Sequence, residues 1–180
     1  MKAFFLNISQ KAKIATVLFA MAVTAFSFSA YASLKEYQLK AAFIYNFAKF
    51  IEWPQDSTQD FKICVLGTDP FGATLNPAKT KDVKGKHIVI ERKTAIDSLK
   101  NCKILFVGDS ERGNLSKLFE YLGSNAVLTV SDLPSFSSKG GIIEFVEDEG
   151  RIRFKINSKL ANQRDMKISA KLLELAEETN

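Results

Sequence analysis

Between Leu34 and Trp53 apolar residues recur at helical spacing, and no glycine or proline intervenes before Pro54. This predicts one amphipathic helix over 34–53, stopped by the proline. With successive residues turned by about 100°, Ala41, Phe43, Ile44, Phe47, Ala48, Phe50 and Ile51 share one broad arc. Lys35, Gln38, Asn46, Lys49 and Glu52 share a narrower polar strip. The aromatic density of AAFIYNFAKFIEWP would suit a membrane anchor, but a membrane span has no use for that strip.

Further along, FKICVLG (61–67), HIVIER (87–92), CKILFVG (102–108) and NAVLTVSD (125–132) are short, mostly apolar runs that read as strands. Between them, TDPFGATL reads as a loop opening a helix, TAIDSLKN (94–101) as a short helix, and DSERGNLSKLFEYLG as a helix N-capped by Asp109 or Ser110. Apolar strands alternating with helices argue for a parallel sheet covered on both faces. After Pro134 the pattern changes: GGIIEFVED and RIRFKIN alternate in polarity around Glu149-Gly150, a hairpin signal. The chain closes with SKLANQRD and MKISAKLLELAEE, one or two helices. The predicted fold class is α/β: a single three-layer domain with a mixed, mostly parallel sheet, flanking helices and a C-terminal β-hairpin. SFSSKGG reads as a loop, and there is no internal repeat or linker.

The first residues stand apart from this pattern. Met1–Lys13 carries Lys2, Lys11 and Lys13 without an acid, Ile14–Ala30 is apolar or small, and Ala30-Tyr31-Ala32 has the form of a signal-peptidase site. Cleavage after Ala32 is expected, giving a signal peptide over 1–32 and a domain over 33–180 exported to the periplasm. The alternative is an uncleaved signal anchor; no cysteine follows the apolar run to accept a lipid. Without the segment, 148 of the 180 residues remain, with 22 basic against 20 acidic side chains. That is enough chain for a real core, and the near-neutral balance gives no footing for nucleic-acid binding.

Cys64 and Cys102 are the two cysteines. An oxidising compartment permits one intramolecular bridge, the alternatives being two buried thiols or an intermolecular bond. His87 is the one histidine and starts a predicted strand, so a nucleophile-histidine arrangement would depend on it alone. A zinc site lacks ligands, GTDPFG lacks dinucleotide-loop spacing, and neither metal nor cofactor is implied. If a ligand crevice exists at the carboxyl ends of the strands, Asp69, Asp109 and Asp132 line it, although Asp beside small polar residues also suits helix capping. Arg151, Arg153 and Lys155 share one face of the last strand, either paired with Glu144, Glu147 or Asp148 or offered to an anionic partner. Tyr45 and Trp53 lie on or beside the polar strip of the first helix; they are candidates for partner binding unless the loop after Pro54 covers them.

EYQLKAAFIYNFAKFIEWP, ICVLGTDPFG, CKILFVG, VLTVSDLPSFSSKGGIIEFVEDEGRIRFKIN and MKISAKLLELA resemble, in order and spacing, the YfiR-like family of exported bacterial proteins. The resemblance covers nearly all of residues 33–180. It implies a non-catalytic periplasmic repressor that binds the periplasmic sensor region of an inner-membrane diguanylate cyclase and so lowers cyclic di-GMP and restrains biofilm formation. It further implies an outer-membrane lipoprotein that draws the repressor away, a homodimer, and a Cys64–Cys102 disulfide. This chain has no counterpart for a second cysteine pair of the family's studied repressor, so redox control through that pair is not carried over. Two other readings compete: a periplasmic small-ligand-binding module using the crevice at Asp69, Asp109 and Asp132, and an exported hydrolase with Asp109 as its carboxylate base.

Overall fold

A computed structural model describes residues 34–54 and 59–179, so the expected signal peptide lies outside the described residues. Contacts divide the chain into two units, Met1–Glu36 and Tyr37–Asn180. Of the first unit, only 34–36 are described, and they are helical.

Helix α1 covers residues 34–50. It stops three residues short of Trp53 because Ile51–Glu52 (β1) switch to extended backbone and pair antiparallel with Lys167–Ile168 (β9). Ser169 N–H donates to the Phe50 carbonyl at 3.0 Å, so a remote segment takes up the last carbonyls of the helix. The buried face of α1 holds Ala41, Ile44, Phe47 and Ala48, close to the predicted arc, while Phe43 and Phe50 are half-buried at its edges. Lys40 is the exception, a lysine only 4% exposed on the apolar side.

The main sheet has eight strands in the order β10-β8-β7-β6-β5-β2-β4-β3. β2 (Asp60–Leu66) is an interior strand, flanked in parallel by β4 (Lys86–Lys93) and β5 (Ile104–Val107); β6 (Leu128–Ser131) and β7 (Ile143–Asp148) continue the parallel run. Short β3 (Asp82–Val83) is antiparallel to β4, β8 (Arg151–Ile156) is antiparallel to β7, and β10 (Glu178–Thr179) runs parallel to β8. The β7–β8 turn places Glu149 (φ 48°) and Gly150 (φ 73°) in the left-handed region, as a two-residue turn matched to strand twist requires.

Strand alternation sorts the core into two layers. Ile63, Val65, Ile104, Phe106, Leu128 and Val130 join Ile44 and Phe47 of α1 on one side of the sheet. Phe47 packs on Phe145 and Phe154 with ring centroids 5.9 and 5.2 Å apart. Leu66, Leu105 and Val107 face the other way, onto Leu115, Leu118 and Leu122 of α2 (Leu115–Leu122). Cys64 and Cys102 lie in this second layer as a disulfide with Cα atoms 5.9 Å apart.

Several connections depart from the expected helices. TDPFGATL leads into a 3-10 helix, Gly72–Thr80. TAIDSLKN supplies only turns and the 3-10 segment Leu99–Asn101, with Leu99 and Cys102 drawn into the core. Asp109–Asn114 is likewise 3-10, and neither Asp109 nor Ser110 caps α2. MKIS is divided between β9 and Ser169, whose hydroxyl caps α4 (Ala170–Glu174) by accepting from Leu172 N–H at 3.3 Å. The preceding helix α3 (Ser158–Gln163) is capped by the Asn157 side chain.

Candidate functional site

The residues singled out in the sequence fall into two regions. At the end of α1, Trp53 is half-buried, its ring edge-on to Phe61 at 5.1 Å, and its indole N–H donates to the Lys103 carbonyl at 3.2 Å. One face remains beside an open cleft of about 360 Å³ that Phe61, Lys84, Lys86 and Lys103 also line. Burial pulls the Lys103 ammonium below the usual lysine range. Tyr45, also half-buried, carries Lys81 and Lys49 over its ring at 4.4 and 5.6 Å. Lys49 and Lys171 approach Phe50 in the same way, at 6.0 and 5.6 Å. The aromatics of this end of the helix are thus flanked by ammonium groups.

At the carboxyl ends of the strands, each of the three aspartates is engaged by a different cation. Asp69 accepts from Arg92 Nε at 2.6 Å and from the Phe71 N–H at 2.8 Å, fixing the turn after β2. Arg92 also donates to the Gly72 carbonyl at 2.7 Å. Exposed Asp109 accepts from Arg112 at 2.6 Å. Asp132 turns toward α1, where it accepts from Lys40 Nζ at 2.6 Å and from the Tyr37 hydroxyl at 2.9 Å. The loops after β2 and β5 pack directly on each other: Thr68 N–H donates to Ser110 Oγ at 2.9 Å, and a Cβ on Gly108 would lie 2.5 Å from the Thr68 carbonyl oxygen.

Two further features were less visible in the sequence. Lys40 sits one helical turn before Ile44 on the apolar arc, and a lysine in that position signals a buried partner, here Asp132. Glu144 faces Lys155 across the hairpin as its register requires, but its carboxylate accepts from Ser135 N–H, Ser137 N–H and Ser137 Oγ at 2.9, 3.0 and 2.8 Å. It therefore fastens the SFSSKGG loop over the sheet. Of the acids expected to pair with the basic strand face, Asp148 meets Arg153 at 3.2 Å. His87 lies at the surface, 2.6 Å from Asp82. Among the described residues no group of three or more His, Cys, Asp or Glu is placed to hold a metal ion, and no helix is long and apolar enough to cross a membrane.

Comparison with known proteins adds three findings. A family profile described as YfiR/HmsC-like matches residues 37–177. No curated protein is similar to the chain at a significant level. Among solved structures, the chain is similar to a conserved domain protein from Vibrio cholerae O1 biovar El Tor, with 12% identity, a TM-score of 0.49, and 66% of this chain and 54% of that one covered. It is also similar to an ABC domain in complex with L-Trp from Streptococcus pneumonia, with 11% identity, a TM-score of 0.46, and 67% and 55% covered. The chain thus spans little more than half the length of either structure.

Proposed function

The chain belongs to the YfiR/HmsC-like family, and from that premise we propose that it represses an inner-membrane diguanylate cyclase by binding the cyclase's periplasmic sensor region. Membership carries the general role, a periplasmic regulator of cyclic di-GMP signalling. The specific partner, the surface and the control are our reading. In it, residues 1–32 are removed on export, residues 33–180 work as a homodimeric domain, and an outer-membrane lipoprotein relieves repression by drawing the domain away. Tyr45 and Trp53 supply aromatic surface to the cyclase, because half-buried rings can bury further apolar area at an interface.

The observation that carries the proposal is the family match over residues 37–177, which takes in every element of the described sheet up to its last short strand. The test is affinity capture from solubilised membranes with the tagged protein, together with cyclic di-GMP measured in a deletion strain. Recovery of a diguanylate cyclase and a rise in cyclic di-GMP on deletion are expected. Capture without any cyclase, with cyclic di-GMP unchanged, would refute the proposal.

A further inference from the structure

Two open clefts meet at Lys84, beside the end of α1. The first, about 360 Å³, sets Lys84, Lys86 and Lys103 around Trp53 and Phe61. The second, about 310 Å³, sets Lys49, Lys84 and Lys167 around Phe50, with Glu52 as an acid at its wall. Five lysines and three aromatic rings are gathered there, in a chain whose residues 33–180 carry 22 basic against 20 acidic side chains. The charge is therefore a local concentration rather than a reflection of composition.

Lys84 itself is held in a fixed place. It occupies the first position of the two-residue turn between β3 and β4 with φ 54°, followed by Gly85 at 77°. The same geometry holds at Glu149-Gly150, so the left-handed backbone is what a two-residue turn between twisted strands requires, and it fixes where the Lys84 side chain departs. Its ammonium donates to the Ile51 carbonyl at 2.9 Å, which anchors it on the divide between the clefts. Lys103 adds a partly desolvated cation on one side, and such a cation gains more from an approaching carboxylate than a fully hydrated one does.

We propose that the paired clefts form a carboxylate-reading surface: an acidic segment of a partner protein lies across Trp53 and Phe50 and inserts Asp or Glu side chains on either side of Lys84. This rests on the reading that the chain acts by binding another protein. A bilayer surface would instead be met by protruding apolar groups. Here the rings are recessed, and Leu39 and Leu175, two of the exposed large apolar side chains among the described residues, line neither cleft.

Trp53 is the one tryptophan of the chain, so its emission reports occupancy of the first cleft directly. The protein, purified as its host cell processes it, is titrated with hexaglutamate and, separately, with phosphatidylglycerol vesicles. A saturable change in Trp53 emission with the peptide is expected, suppressed in about 0.5 M NaCl, where screening acts within roughly 4 Å. Lys84→Gly preserves the turn while removing the charge and should weaken binding about tenfold, with Lys167→Gln weakening it as well; circular dichroism confirms that both variants are folded. No response to hexaglutamate, an undiminished response in Lys84→Gly, or a response to vesicles but not to peptide overturns the inference. Peptide binding without cyclase capture would sink the cyclase reading and leave the cleft standing. Capture without peptide binding would do the reverse.

Discussion

Removing the Cys64–Cys102 bridge, by Cys64→Ala with Cys102→Ala, should cost about 5 kcal/mol of stability. The bond joins residues separated by 38 positions, from within the interior strand β2 to the residue entering the connection to β5. The loop it closes contains the Gly72–Thr80 helix, β3 and β4, the whole excursion to one edge of the sheet. In the chain-entropy account, closing a loop of that length in the unfolded state is worth about 4 kcal/mol at 25 °C. Both cysteines are almost fully buried against Leu66, Leu99 and Leu105, so trimming them to alanine adds a packing loss of about 1 kcal/mol. Against a typical total of roughly 5–15 kcal/mol this is a large share. Urea unfolding read through Trp53 emission is the assay, since that side chain sits on the carbonyl of Lys103, next to the bridge. With a denaturant slope of about 2 kcal/mol/M the midpoint should fall by about 2.5 M, and the slope should rise because an unbridged chain exposes more surface. A midpoint change under about 0.5 M, or wild-type protein equally stable with and without reductant, would refute the reasoning.

Gly108→Ala should cost about 2 kcal/mol or more, because its Cβ would press on backbone, 2.5 Å from the Thr68 oxygen and 3.0 Å from that of Leu66. Gly113→Ala, with nothing within 4 Å of the added Cβ, should instead gain about 0.5 kcal/mol, and thermal unfolding of the two variants tests the contrast. Arg164 is 5% exposed, its Nη1 is buried without a hydrogen-bond partner, and burial lowers its pKa. Arg164→Met should therefore stabilise by about 1 kcal/mol in urea titrations at neutral pH; a comparable loss would mean that the guanidinium is better compensated than its surroundings indicate. Hydrogen bonds from Lys93 and Lys62 at 2.6 and 2.9 Å hold the Glu91 carboxyl below its ordinary value of 4.5. That contribution is present above the ordinary value and disappears as pH falls through the lowered one. Glu91→Gln should thus lose stability near neutrality and unfold with a shallower acid limb.

Much of the fold was legible along the chain. Four apolar runs marked β2, β4, β5 and β6 to within a few residues, because strands buried on both faces need continuous apolar sequence. The switch to alternation after Pro134 located β7 and β8, and Glu149-Gly150 their turn. Two of the errors share one cause. Trp53 was assigned to α1, and MKIS to a helix, on local spacing, whereas Ile51–Glu52 and Lys167–Ile168 pair with each other across more than a hundred residues. The candidate aspartates could be located at strand ends, but not the distant cations that engage two of them, Arg92 for Asp69 and Lys40 for Asp132.

Helical periodicity, strand alternation, turn chemistry and family signature are written in near neighbours, since each depends on which residues fall within a few positions of one another. The order β4-β2-β5-β6, the capture of Lys40 by Asp132, and the meeting of Lys49, Lys84, Lys103 and Lys167 around two clefts are not. These lysines are scattered over four separate segments, and each segment alone reads as ordinary solvated charge. Only the closing of the sheet and the docking of β1 on β9 bring them within reach of one ligand, because Coulomb attraction and desolvation act through space and follow distance between folded elements, not position along the chain.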